Sequence, residues 1–111
     1  MILAIMNDLI FQSKLQTTAA HLGVPLTVAR DASPALQPGA SCSRVLIDLN
    51  LSAGDPLAIV RTVRAAHPTV PVIGYCSHVQ QELRHHALEA GCTAVLPRSA
   101  FVQQLSELLS P

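Results

Sequence analysis

Two aspartates stand at the ends of apolar runs in this chain. Asp48 closes the run Arg44-Val-Leu-Ile-Asp48-Leu-Asn50, and Asp8 follows Met1-Ile-Leu-Ala-Ile-Met6 by way of Asn7. A carboxylate at the end of a buried run is costly unless it is paired or put to use. If the two runs are neighbouring parallel strands, both carboxylates arrive at one edge of a sheet. Facing carboxylates offer hard oxygen donors and suit a divalent cation such as Mg²⁺. A central aspartate beside such an ion is equipped to receive a phosphoryl group.

The elements that must hold these residues alternate along the chain. Strands are expected over Ile2–Met6, Pro25–Ala29, Val45–Leu49, Val70–Tyr75 and Thr93–Leu96. They are apolar throughout, as strands covered on both faces are. A first helix is expected over Leu9–Leu22, where Phe11, Leu15, Thr18/Ala19 and Leu22 recur at helical spacing and Gly23 supplies the stop. Asp31–Cys42 contains Pro34, Pro38 and Gly39, which leave room for a turn or two of helix at most. Asp55-Pro56 starts the next helix, with Asp as cap and Pro in the first helical position, and it runs to about Ala66 with Ile59, Val60 and Val63 inward. Further helices are expected over Val79–Ala90, stopped by Gly91, and from a Ser99 cap to the end, carrying Phe101, Val102, Leu105, Leu108 and Leu109. Strands alternating with helices predict an α/β domain built on a parallel sheet, here one domain over residues 1–111.

In such a sheet the ligand crevice opens outside the carboxyl ends of the strands. The residues falling there are Asn7, Asp8, Asp31, Asp48 to Ser52, Cys76, Ser77, Pro97 and Arg98. No glycine-rich loop follows the first strand, so a dinucleotide fingerprint is absent. No second base, nucleophile or phosphate loop accompanies Asp48, which argues against an enzyme.

Composition removes several other classes. Half of the 111 residues are hydrophobic and the formal net charge is zero, so there is no basic patch for nucleic acid. Aromatic residues are scarce and Trp is missing, which disfavours a base-stacking surface. No apolar stretch approaches the ~20 residues of a membrane span, and no basic segment precedes the first strand as in a signal peptide. Cys42, Cys76 and Cys92 are odd in number and lack CxxC spacing, so they read as reduced thiols of a cytoplasmic protein.

Taken together in order and spacing, these residues resemble the response-regulator receiver domain of two-component signalling. The resemblance covers nearly the whole chain, apart from Asp31–Cys42. It implies a flavodoxin-like five-stranded parallel sheet of order 2-1-3-4-5, helices on both faces and a shortened or irregular second helix. Asn7-Asp8 matches the family's acidic pair and Asp48 its phosphoacceptor. Counting back from Gly91 sets Cys76 at the Thr/Ser position with Ser77 one step beyond, and counting forward sets Arg98 at the Lys position. The implied Mg²⁺ ligands are Asp8, Asp48 and the backbone carbonyl of Asn50, with Asn7 acting through a water. The implied role of Arg98 is to pair with Asp48 at rest and with phosphoryl oxygens afterwards.

The chain departs from the pattern at several positions. Asn7 removes one negative charge and weakens the metal site. Arg98 is a wide planar fork where a point charge is usual. Cys76 is a weak donor in place of a hydroxyl, and Val95 stands where a switching aromatic is common. The step after strand five is Arg98-Ser99 instead of Lys-Pro, so a trans bond is expected there. The resemblance therefore implies a stand-alone, atypical receiver. It would take phosphoryl groups at Asp48 from a histidine kinase or phosphotransfer protein and dock to a downstream protein. The alternative is a pseudo-receiver that binds its partner whatever the state of Asp48. Docking, or self-association into a homodimer, is expected at the helix 4–strand 5–helix 5 face, with Leu83, Arg84, Val102 and Leu105 as candidates.

Overall fold

A computed structural model describes residues 1–52, 54–77 and 80–110. Five strands, β1 (Ile2–Ile5), β2 (Leu26–Ala29), β3 (Arg44–Asp48), β4 (Val72–Cys76) and β5 (Ala94–Pro97), form one parallel sheet in the order β2-β1-β3-β4-β5. The helices are α1 (Leu9–Leu22), α2 (Ser33–Leu36), α3 (Pro56–Ala66), α4 (Gln81–Ala90), α5 (Arg98–Gln103) and α6 (Leu105–Leu109). This is the flavodoxin-like arrangement expected from the sequence.

Two apolar layers follow from the two-residue period of the strands. Leu3, Ile5, Val45, Ile47 and Val72 point to the side covered by α2, α3 and α4, where Ala35, Val60, Val63 and Ala87 meet them. Ile2, Ala4, Met6, Leu46 and Tyr75 point to the other side, against Phe11, Leu15 and Ala19 of α1 and Phe101, Leu105 and Leu109 of α5 and α6. Each large buried side chain contributes about 1.5–3 kcal/mol. That packing holds helices too short to persist alone in water.

The helix ends obey local chemistry. The Asp8 carboxylate accepts the Phe11 N–H at 3.1 Å and so caps α1. Gly23, at φ +70°, closes α1 in the left-handed region by donating to Ala19 and Ala20 carbonyls. Asp31 accepts the Ser33 N–H at 2.9 Å and turns the chain into the single turn of α2, which stops because Gln37 is extended ahead of Pro38. Asp55 caps α3 through the Leu57 and Ala58 N–H groups, with Pro56 next in the chain.

Some expectations need correction. Ser99 does not cap the last helix. Pro97 is the extended cap residue and the helix begins at Arg98, because the fixed φ of Pro97 ends the strand and leads directly into the first turn. The final segment is divided at Gln104, although the Gln104 N–H to Ala100 and Leu108 N–H to Gln104 bonds keep its two parts in line. β4 begins at Val72, two residues later than Val70, because Pro71 has no N–H to give to the ladder, although its carbonyl accepts the Val45 N–H at 2.9 Å. The expected α4 start at Val79 lies outside the described residues, and the described helix begins at Gln81. Of the four residues expected on a docking face, Leu105 is buried against the α1 layer, whereas Arg84 is exposed and Leu83 and Val102 are partly so. No helix among the described residues is long and apolar enough to cross a membrane.

Candidate functional site

The register brings the expected residues to one edge. Ile5 pairs with Ile47, so Asp8 lies just beyond the end of β1 while Asp48 is the last residue of β3. Asp48 pairs with Tyr75 and Cys76 with Pro97, which sets Cys76, Ser77 and Arg98 at the same carboxyl edge. Asp48 shares the parity of Leu46, and therefore the side of the sheet on which Phe11, Tyr75 and Phe101 pack.

Asp48 is partly buried. One of its oxygens, Oδ1, accepts the Asn50 N–H at 2.8 Å. Burial pushes its pKa above the ordinary aspartate value. The Asn50 N–H and the charge of Arg98 oppose that rise, and the nearby charge of Asp8 adds to it. Asn50 also uses its side chain. It accepts the Ser77 N–H at 2.6 Å and donates to Gln80 Oε1 at 3.0 Å, joining the loop after β3 to the loop after β4. Asn7 donates to Ser52 Oγ at 3.3 Å. Cys76 is buried at the end of β4 and lines a small cavity with Gln80, Arg84 and Val95.

Arg98 does not take the partner expected of it. Its Nη2 donates to Asp8 Oδ2 at 2.7 Å, with side-chain exposures of 40% and 35%. Asp48 acts on it only through its more distant charge. The Phe11 ring gives the reason, since the Arg98 Cζ lies 4.6 Å from its centroid. Phe11 is three residues after Asp8 in the first turn of α1, so carboxylate and ring face the same guanidinium. The bond to Arg98 lowers the pKa of Asp8, and the Phe11 N–H adds to the effect. The Arg98–Ser99 bond is trans, in keeping with the sequence-based expectation.

Sequence reasoning missed Phe11 and Gln80, and it placed Ser52 at the crevice without its bond to Asn7. Phe11 had a usable signal, its place one turn after the capping aspartate. Gln80 and Ser52 are polar loop residues whose roles depend on how two loops meet.

The donor chemistry fits a hard divalent cation. Asp8, Asp48 and the Asn50 carbonyl are all oxygen donors. No group of three or more His, Cys, Asp and Glu side chains converges among the described residues, so two carboxylates are the whole acidic contribution. Asp8 has both oxygens engaged, one by Phe11 and one by Arg98.

No protein-family model and no curated protein matches the sequence. Solved structures match it over nearly its whole length. A response regulator protein from Burkholderia pseudomallei, solved with a phosphorylated aspartic acid, a calcium ion and citrate, has a TM-score of 0.82 at 16% identity. The alignment covers 98% of this chain and 65% of that one. A CheY-like response regulator receiver domain protein from Methanospirillum hungatei JF-1 has a TM-score of 0.79 at 17% identity, covering 97% of this chain and 91% of that one. The BeF₃-activated DrrB receiver domain has a TM-score of 0.74 at 18% identity, covering 96% of both chains. The chain has the fold of the response-regulator receiver domains of two-component signalling.

Proposed function

We propose that residues 1–111 act as one atypical receiver unit in which Asp48 accepts a phosphoryl group. The observation that carries this reading is the state of the Asp48 carboxylate. It is partly buried at the carboxyl edge, with Oδ1 oriented by the Asn50 N–H and no hydrogen bond to Oδ2 among the described residues. Oδ2 would attack the phosphorus of a phosphohistidine or an acyl phosphate. A P–O bond to Asp48 forms, and the bond to the imidazole nitrogen or carboxylate oxygen breaks with its electron pair. The donor is a histidine kinase, a phosphotransfer protein or a small acyl phosphate.

Asp8, Asp48 and the Asn50 carbonyl would hold Mg²⁺, with Asn7 reaching it through a water. The bound ion offsets the repulsion between the two anions that must meet. Arg98 adds a fixed positive charge at the same edge. Cys76 and Ser77 occupy the place from which a receiver reads the phosphoryl group, and the Asn50–Ser77 bond ties that place to Asp48. The output is docking to a partner protein, or self-association, through the surface of α4, β5 and α5 where Leu83, Arg84 and Val102 lie.

The test is incubation with Mg²⁺ and acetyl phosphate or beryllofluoride. The expected results are one phosphoryl group gained by intact mass, absent in Asp48→Asn, and amide shifts around Asp48 with beryllofluoride. The absence of both the adduct and the shift would sink the reading. The second reading is a module that binds its partner whatever the state of Asp48. It draws on the engagement of both Asp8 oxygens, and equal partner binding by wild type and Asp48→Ala would favour it.

A further inference from the structure

Arg98 is held from two directions by one turn of α1. Asp8 supplies the acceptor oxygen and Phe11 the ring face. The ring is itself fixed, with centroids 5.2 Å from Tyr75 and 5.6 Å from Phe101. These three rings are the only aromatic residues in the sequence. A planar guanidinium can stack on a ring and bond a carboxylate together, which an ammonium group cannot do in the same way. Asp8 meanwhile spends its other oxygen on the helix cap. Each oxygen of Asp8 thus already carries one donor, and a second cation at Oδ2 would share it with the Arg98 guanidinium.

We infer that Arg98 is the resident cation of the Asp8/Asp48 edge, and that a divalent ion at Asp8 competes with this guanidinium for the carboxylate and draws it off the Phe11 ring. The inference rests on the proposed reading of that edge as an ion-binding receiver site. It adds a coupling to that reading. A displaced Arg98 remains in the field of Asp48, the other anion acting on it. An anionic group on Asp48 that draws Arg98 away would therefore open Asp8 to the ion. By linkage, the ion would in turn favour the anion. Arg98 and Phe11 thereby become residues that set the affinity for the ion.

The test is a Mg²⁺ titration of the full chain, followed by NMR at the amides of Asn7–Leu9 and Asp48–Leu51 and at the Arg98 side-chain Nε–H. Wild type, Arg98→Gln, Arg98→Lys and Phe11→Leu are compared. In wild type the Nε–H signal should move with the same midpoint as the amides. Arg98→Gln should lower the midpoint roughly tenfold. Arg98→Lys and Phe11→Leu keep the charge, and each should still lower it roughly two- to five-fold by loosening the stack. Arg98→Lys leaves the core intact, so it carries the test even where Phe11→Leu fails to fold. Mg²⁺ binding with a stationary Nε–H signal, or with the charge-retaining variants at the wild-type midpoint, overturns the displacement and leaves the receiver reading standing. Absence of Mg²⁺ binding in all the proteins overturns both.

Discussion

Arg64 and Arg98 bring the same side chain to opposite edges of the sheet, and their surroundings make them different devices. Arg64, near the end of α3, donates to backbone carbonyls before β4 and β5. Its Nη1 reaches Val70 at 2.7 Å, and its Nε and Nη2 reach the Gly91 carbonyl at 3.0 and 2.8 Å. Nη1 also bonds His67 and Pro68, and Nη2 bonds Thr93 Oγ1 at 3.2 Å. These acceptors are neutral and fixed in the chain, and no ion competes for them. Arg98 instead bonds one carboxylate and stacks on one ring, both of which other cations can take over. A guanidinium among carbonyls staples loops together. A guanidinium on a carboxylate can be exchanged.

The largest expected effect is therefore on the staple. Arg64→Ala should cost roughly 3 kcal/mol, because several carbonyls lose a charged donor at once. Urea denaturation measures it, and a loss under 1 kcal/mol would show that water replaces the donor freely. Next comes Gly91→Ala. Gly91 sits at φ +131°, and an added Cβ would fall 2.8 Å from the Arg64 Cγ and 2.9 Å from its Cβ. A cost of about 2 kcal/mol is expected from the strained backbone and the clash. In Arg64→Ala the contact part of that cost should vanish, so a double-mutant cycle separates the two.

Arg98→Gln should change stability by less than about 1 kcal/mol, since its ion pair is partly exposed. A larger loss in the same denaturation experiment would make Arg98 a second staple and erase the contrast. The smallest effect is in the titration of the two aspartates, read by carboxyl NMR. Asp8 should titrate below the ordinary value of 3.8 and Asp48 above it. The linkage signs are opposite. Asp8 contributes stability that is present above its unfolded pKa and lost as pH falls through its lower folded pKa. The raised pKa of Asp48 favours the folded state below the unfolded pKa, and that advantage disappears as pH rises through the folded one. In Arg98→Gln the Asp8 value should rise most, since Arg98 is its leading cause, and Asp48 should rise further because it loses a favourable charge. An unmoved Asp8 would mean that the ion pair does not persist in solution.

Much of the fold was legible because local chemistry wrote it. Asp55-Pro56 set the start of α3 and Gly23 the end of α1. The prolines between Asp31 and Cys42 confined α2 to one turn. The start of α5 was misread because Ser99 is a good cap by type, while the preceding Pro97 had already turned the chain. The edge position of Asp8, Asp48, Asn50, Cys76, Ser77 and Arg98 was also legible. Strands of similar length running parallel must deliver their last residues to one side.

Pairing within that edge was not legible. Sequence order says that Arg98 follows the fifth strand, but it does not say which of two nearby carboxylates the guanidinium will choose. That choice depends on angles between α1 and the sheet and on a ring buried among Tyr75 and Phe101, residues far apart in the chain. The link from Asn50 to Ser77 and Gln80 has the same character, a meeting of two loops fixed by the strands beneath them. The sequence by itself determined the strands, the helix ends and the residues that reach the carboxyl edge, because capping, proline geometry and apolar periodicity act over a few neighbours. Only the tertiary structure decided that Arg98 rests on Asp8 and Phe11, because distances of a few ångströms between separate elements follow from how the whole core packs.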